Sequence, residues 1–574
     1  MMFWALAFAS VFWSQIQWTS YVQFLVFSSL PLSVVFFLSC DERQTRLVHY
    51  LIIGVIGLLA LVAVTQYYMF PEMLFYGRAQ WPLNNPNSLG AVFSLGAFLA
   101  CFPLLKPAKI VTVSRFWQCW WGFVLILMCA AVIVTGSRGA LGALVIMGAL
   151  GSVVFRKEIA RVYSWKALVI FGVALAGAVA CLTLTGTRPD NVAITTTIRS
   201  LSGSYPWLWT RGDIWLGTWR IIQDHFWLGT GIGTFPHFYA EFQTATDVSS
   251  GRTAHNDPLQ YWSEMGVGAF VLFYLFCGSM LYRTVKALGQ TKDTNQFLTI
   301  LLSFCALGAM VMHSHVSFNL HNVPILFVSG FLIAMWVRAT DQALETAVWK
   351  RQIPYVQKMS RLYRLYYVAN IWVLLVLLIV VPFTAQYFLT SSERYSRFNN
   401  MQKVVENINL AKIWSFGQSP EPYIKAATIH ISTLDYDYGV LMKKDREARI
   451  DEIVNLLEKT QRLNPRAVGV FYNRALLAQV ITDNDVAYGE IDQALENALQ
   501  YKPRHMLSRS WLVDRYAARG QLDEAVALFS DAMPWCVRTV QAEYCYQKMA
   551  TLLLKNGDID GSTEMLTRAR ALHR

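Results

Sequence analysis

Five arginines and no lysine occupy the polar stretch from Thr185 to Ser263: Arg188, Arg199, Arg211, Arg220 and Arg252. A solvent-exposed loop ordinarily mixes the two cations. The planar, permanently charged guanidinium grips a phosphate or carboxylate through two parallel hydrogen bonds, so this composition points to recognition of such an anion. Near the end of the stretch His255 stands in Arg252-Thr253-Ala254-His255-Asn256-Asp257. An imidazole can take a proton from a hydroxyl at neutral pH, and a neighbouring carboxylate strengthens it as a base. A lone loop histidine is more often inert than catalytic; the arginine-only surroundings shift that balance here. Arg138, in Thr135-Gly136-Ser137-Arg138-Gly139-Ala140, ends an apolar segment. A single arginine there commonly snorkels to the headgroups, but this one stands between glycines that let backbones approach.

Other residues of chemical type carry weaker signals. Arg211 opens a segment in which Ile214, Trp215, Trp219 and Ile222 share a helical face. That face is expected in the bilayer interface, with Arg220 against lipid phosphate. Gly229-Thr230-Gly231-Ile232-Gly233 lacks the G-x-G-x-x-G spacing and a strand–helix context, so it reads as a turn rather than a nucleotide cradle. His313, His315 and His321 cluster in one outer turn, but residues two apart on a helix face different ways. With no dense carboxylate set and no cysteine nearby, metal binding is not expected, and His313 is taken as polar lining of a substrate cavity. Arg220, Arg252, Asn256 and His313 are the further candidates for substrate contact. Asn84, Asn85 and Asn87 bracket Pro86, with Asn87 expected to cap the helix that follows.

The chain that must position these groups has 574 residues, 55% of them hydrophobic and 15% charged, with mean hydropathy +0.34. The apolar residues come in blocks long enough to cross a bilayer. An all-α polytopic bundle of about eleven spans is expected, at 2–18, 21–40, 47–68, 88–105, 117–135, 139–155, 166–184, 264–282, 297–315, 324–341 and 368–388. The net charge of +12 follows from basic residues gathered in short loops on one face; no nucleic-acid signature accompanies it. Arg43, Lys109, Lys157, Lys286 and Lys358 all fall on that face, which is therefore cytoplasmic. The 69–87 loop, Arg138, the 185–263 loop and the tail then lie opposite, in the periplasm if the cell is Gram-negative. A cleaved signal peptide is not expected, since Met1–Trp18 has no basic n-region.

The expected divisions are 1–184 (N-terminal membrane helices), 185–263 (outer loop), 264–388 (C-terminal membrane helices), 389–447 (connector) and 448–574. The last region turns polar, with helical pairs recurring at about 34 residues from Tyr472 to His505, then around Tyr516–Ala525, then around Leu554–Asp560. It resembles an α-solenoid of tetratricopeptide repeats, whose concave face would serve a protein partner. Cys536 and Cys545 fall there, where a bridge is possible on an oxidising face. The other seven cysteines lie in apolar segments and read as core.

Taken together, Asn85-Pro86-Asn87, Thr135-Gly136-Ser137-Arg138-Gly139, Arg211 with Trp215, Gly229–Gly233, and Ala254-His255-Asn256 ahead of Glu264 and Gly266 resemble the superfamily of O-antigen ligases, O-oligosaccharyltransferases and O-antigen polymerases, over roughly residues 70–340. The resemblance implies an inner-membrane glycosyltransferase that takes a glycan from undecaprenyl diphosphate and passes it to an acceptor on the outer face, either lipid A core or a protein. It implies that Arg138 and Arg211 bind the diphosphate, that His255 acts near the acceptor hydroxyl, and that the chemistry uses no metal or other cofactor. His313-Ser314 leans toward the protein-glycosylating branch, which usually has proline where Asn319 stands. The N-terminus looks short by a helix relative to many relatives.

A polymerase extending the glycan on its carrier would use a similar loop. A transporter or a membrane scaffold is the competing class. Against the first stands the absence of an inverted repeat and of ionisable residues at mid-span; against the second, an arginine-only loop would have no purpose.

Overall fold

The computed structural model describes residues 2–75, 77–105, 115–154, 207–244, 247, 249–346, 380–437, 441–481, 488–537 and 541–572. Six helices among them are long and apolar enough to cross a bilayer: α2 (Gln17–Ser39), α3 (Glu42–Met69), α4 (Pro86–Leu105), and, after the outer loop, α10 (Val267–Gln290), α11 (Thr294–Ser314) and α12 (Val323–Ala343). Three more of the expected spans form shorter apolar helices: α1 (Met2–Trp13), and within α5 (Arg115–Val134) and α6 (Arg138–Val154) the apolar stretches Cys119–Val134 and Arg138–Val153. The segments at 166–184 and most of 368–388 lie outside the described residues, as do Arg188 and Arg199.

Sequence signals set the helix ends. Asp41 accepts from the Gln44 backbone amide (2.7 Å) while the Gln44 side chain accepts from the Asp41 amide (2.9 Å), a reciprocal cap on α3. Asp293 caps α11 through Gln296 N (2.9 Å). The asparagine that caps α4 is Asn85, not Asn87: its Oδ1 accepts from the amides of both Asn87 and Ser88. Pro86, at the first helical position, needs no donor.

Helix α4 is buried along nearly its whole length and runs through the middle of the bundle, touching α3, α5, α6, α11 and α12. Close approach is what brings the outer corner at Arg138 to it. A Cβ on Gly90 would meet the Ser137 Cβ at 2.8 Å, and one on Gly96 would meet the Ile56 Cγ2 at 2.6 Å. Only hydrogen fits at either contact.

The described part of the large loop folds into a small unit with its own core. Helices α7 (Trp207–Asp224), α8 (Phe235–Phe242) and α9 (Asp257–Met265) enclose Ile214, Ile221, Phe235, Phe238, Tyr239 and Ala254. The expected interfacial face of α7 is thus divided. Ile214 and Ile222 turn inward and are buried, while Trp219 stays exposed. The reason is that α8 offers Ile214 an apolar partner, which burial favours over the headgroup layer.

Beyond 400 the chain is a succession of helices, each packed on its sequence neighbours: Met401–Trp414, Glu421–Asp437, Lys443–Leu463, Val468–Ile481, Tyr488–Tyr501, Met506–Ala518, Leu522–Ser530, Ala542–Lys555 and Ile559–Ala571. They share several small cores rather than one large one. Cys536 and Cys545 are bonded to each other.

This C-terminal region grips the outer loop. Arg466 pairs with Glu241 (2.6 Å) and lies 3.8 Å above the Phe238 ring, and Arg504 donates to the carbonyl oxygens of Thr244 and Asp247. Asp247 in turn accepts from Tyr239 Oη (2.8 Å) and Gln243 Nε2 (2.9 Å). These bonds tie down the strand of chain that leads to His255. Replacing both Arg466 and Arg504 by alanine should therefore speed proteolytic cleavage between Gln243 and Arg252 by about tenfold, roughly the loss of one net charge-assisted hydrogen bond. Unchanged cleavage in limited proteolysis would show that the loop holds itself.

Candidate functional site

The site lies where the N-terminal ends of α4 and α6 and the C-terminal end of α11 meet the loop unit. Gly139 places α6 directly against His313, for a Cβ there would stand 2.6 Å from the imidazole Cδ2. His313 is buried, and its Nε2 is 3.5 Å from Ser137 Oγ. On the other side of the Arg138 corner, Arg78 reaches over Gly136 and is fixed at two points. Its Nε donates to Thr135 O (2.8 Å) and its Nη2 to Asn87 Oδ1 (2.7 Å). Asn87 thus serves as a bracket for this arginine.

Three guanidinium groups gather here. Burial, and then the like charges of Arg138 and Arg78, push Arg211 down to about 10. Arg78 is likewise pushed down to about 10 by burial and by Arg138. All three keep their charge at neutral pH, and their mutual repulsion would be relieved by a multivalent anion set among them.

His255 stands beside this cluster. Its φ of +51° is the left-handed region, which costs a residue with a Cβ about 1–3 kcal/mol and which histidine tolerates better than most. The ring meets Phe318 edge-on, with centroids 5.1 Å apart. Its buried Nδ1 has no hydrogen-bond partner among the described residues. Burial, followed by the Arg211 charge, holds the imidazole at about 4, with Asp247 pulling weakly the other way. It is therefore neutral at pH 7, and a neutral imidazole can accept a proton.

The backbone that carries His255 is held from both sides. Trp215 Nε1, one turn beyond Arg211 on α7, donates to Ala254 O (3.1 Å), and Ala254 N donates to Gln260 Oε1 (3.0 Å). Asn256 Oδ1 accepts from Leu259 N (3.1 Å) and so caps α9. At the far end of α9 the glycine run finds its purpose. Gly233 N (2.8 Å) and Phe235 N (3.2 Å) donate to the Glu264 carboxylate, while Gly231 N bonds to Glu264 O (2.7 Å). The run cradles an anion, but that anion belongs to the chain itself. Gly229, at φ +68°, lies so close that a Cβ would come within 2.3 Å of the Glu264 backbone.

Residues 123–274 match the O-antigen ligase family. The matched stretch contains Arg138, Arg211, the glycine run, His255 and Glu264, and supports a membrane glycosyltransferase of the O-antigen ligase or polymerase type. No curated protein matches the chain.

Of the residues singled out from sequence, Arg138, Arg211, His255 and His313 come together. Arg220 and Arg252 are exposed, and Asn256 is engaged as a helix cap. The three outer histidines part company: His315 bonds to Tyr274 Oη (2.8 Å) and His321 to Asp257 (3.1 Å). Arg78 escapes a reading of the sequence, yet it is the one basic residue of the 69–87 loop, on the face that the charge rule depletes. The signal that singles out Arg138 applies equally to Arg78.

Proposed function

We propose that the protein transfers a glycan from an undecaprenyl-diphosphate carrier to a hydroxyl acceptor on the periplasmic face of the inner membrane, as an O-antigen ligase or protein O-oligosaccharyltransferase. The observation that carries this reading is the convergence of Arg78, Arg138 and Arg211 beside a neutral, half-buried His255. In the reaction the acceptor hydroxyl gives its proton to His255 while its oxygen attacks the anomeric carbon. The bond from that carbon to the diphosphate oxygen breaks from the opposite side, so the sugar centre inverts. Negative charge grows on the departing lipid diphosphate, and fixed guanidinium groups stabilise it most at that moment.

An apolar cleft of about 950 Å³ between the membrane helices supports the lipid half of the substrate. Its lining includes Phe27, Met147, Phe273 and Met310, and it ends at Tyr261 and Leu320, beside the site. The helices beyond 448 would, as tetratricopeptide-like repeats on the same face, receive a protein acceptor or an assembly partner.

Arg78 belongs to the anion site in this reading. Arg78→Gln should weaken donor use by about tenfold, as a rise in KM for the lipid-linked glycan, since a charged hydrogen-bond donor is lost. A KM equal to that of the parent would restrict Arg78 to bracing the Thr135 corner.

The function itself is tested in a deletion strain, by following lipid-linked glycan, lipopolysaccharide and periplasmic glycoproteins on gels. Full-length glycan accumulating on the carrier, with one acceptor left bare, is the expected result, and the bare acceptor names the product. Carrier bearing only single repeat units would make the protein a polymerase. An unchanged lipid-linked pool and unchanged acceptors would end the proposal.

A further inference from the structure

Behind His255 lies a buried polar chain, Asp257–His321–Gln260–Glu264, whose members bond to one another and to backbone amides. Asp257 is fully buried; its Oδ1 bonds to His321 Nδ1 (3.1 Å) and its Oδ2 accepts from Leu320 N (3.0 Å). His321 Nε2 faces Gln260 Nε2 at 3.2 Å, and that same amide nitrogen donates to Glu264 Oε1 at 3.0 Å. Tyr261 stacks on the His321 ring, with centroids 5.4 Å apart.

The bonding pattern sets the Gln260 amide orientation and the His321 tautomer. Ala254 N–H can only donate, so the Gln260 atom facing it must be the oxygen. The Gln260 nitrogen then turns its two hydrogens to Glu264 and to His321 Nε2. His321 Nε2 accepts, which leaves its proton on Nδ1, donated to Asp257. Burial opposes charging His321 while the Asp257 and Glu264 carboxylates favour it, with a net rise in its pKa. A second proton on Nε2 would nevertheless meet the Gln260 hydrogens head-on.

We propose that Gln260 is a positioning residue for transfer: held by Glu264 on one side and by the His321–Asp257 pair on the other, it fixes the Ala254 amide and so keeps His255 in its left-handed conformation beside the arginines. This rests on the reading of His255 as the proton acceptor. Two bonds to Ala254, from Gln260 and from Trp215, oppose the relaxation of a backbone that would otherwise leave φ > 0. The arginines bind donor without this chain, so loss of Gln260 affects the chemical step and not donor binding.

The test uses the full-length protein in lipid nanodiscs with undecaprenyl-diphosphate-linked oligosaccharide as donor. Gln260→Met keeps the side chain's length and removes its bonds. The expected result is a kcat lower by about tenfold or more, with donor Kd within about twofold of the parent. Gln260→Glu adds a pH signature. The groups facing the introduced carboxylate are Glu264 on α9, His321 with its partner Asp257, and the backbone amide of Ala254; the Gly233 and Phe235 amides hold Glu264. Two carboxylates in contact share a proton at low pH. In its protonated form the introduced side chain can again donate to Glu264 while accepting from Ala254. The ratio of this variant's kcat to the parent's should therefore rise as pH falls from 8 to about 5.5.

A parental kcat in Gln260→Met, with His255→Gln inactive, overturns the positioning role and leaves the transfer reading standing. An active His255→Gln overturns the reading on which it rests. Should Gln260→Met fail to fold, Gln260→Glu at pH 8 decides, since its ionised side chain cannot donate to Glu264 or His321. A lowered kcat at unchanged donor Kd supports the role, and a parental kcat overturns it.

Discussion

Replacing His255 by glutamine should slow glycan transfer by about 10²–10⁴-fold, the usual contribution of a positioned general base, while the lipid-linked donor binds as before. Glutamine fills similar space and can hydrogen-bond the acceptor, but it cannot carry its proton away. The pH dependence gives a second reading of the same group. Burial and Arg211 hold His255 at about 4, so the free enzyme's kcat/KM should be flat through neutral pH. It should fall on the acid side only as pH drops through about 4. The sign follows from the charge: protonation removes the acceptor, so activity is present above that pKa and lost below it. Once a diphosphate occupies the arginines its negative charge favours the imidazolium, and the acid limb of kcat should lie above that of kcat/KM. Coincident limbs, or a His255→Gln protein of parental rate, would place the proton acceptor elsewhere.

Arg211→Lys should lower kcat by about 10²-fold, the scale of losing one preorganised donor at a developing oxyanion, even though the charge is kept. Lysine is a point charge without the planar fork that meets two phosphate oxygens together. The partner variant separates charge from geometry. Arg211→Gln removes a cation that disfavours protonated His255, so the acid limb of kcat/KM should move to higher pH. In Arg211→Lys that limb should stay near its parental position while kcat falls. A parental kcat in the lysine variant would count against the diphosphate assignment, and an unmoved limb in the glutamine variant would mean that Arg211 and His255 do not share a field. Initial-rate measurements across pH, with donor concentration varied, read both outcomes.

The parts of this molecule that were legible in the sequence are those set by local chemistry. Apolar blocks announced most of the membrane helices because a bilayer demands some twenty apolar residues in succession. Arg138, Arg211 and His255 stood out because their residue types are costly or uncommon where they stand, at the margins of apolar segments and among other arginines. The order of motifs from Asn85 to Gly266 carried the family resemblance, and the match over 123–274 agrees with it.

What the tertiary structure decided depends on pairing across the chain. Arg78 meets Thr135 from fifty-seven residues away, and His321 meets Asp257 from sixty-four; no local spacing encodes either contact. Gly229–Gly233 reads as a turn from its composition, but only the fold shows that it cradles the carboxylate of Glu264. Part of the face of α7 offered to the membrane by its helical period, Ile214 and Ile222, turned inward instead while Trp219 stayed exposed, because a helix cannot know its partner from its own periodicity. Residue type determined which groups could hold an anion or accept a proton. The fold determined which of them meet, because burial, like-charge crowding and close approach at Gly90 and Gly139 exist only between segments far apart in the chain.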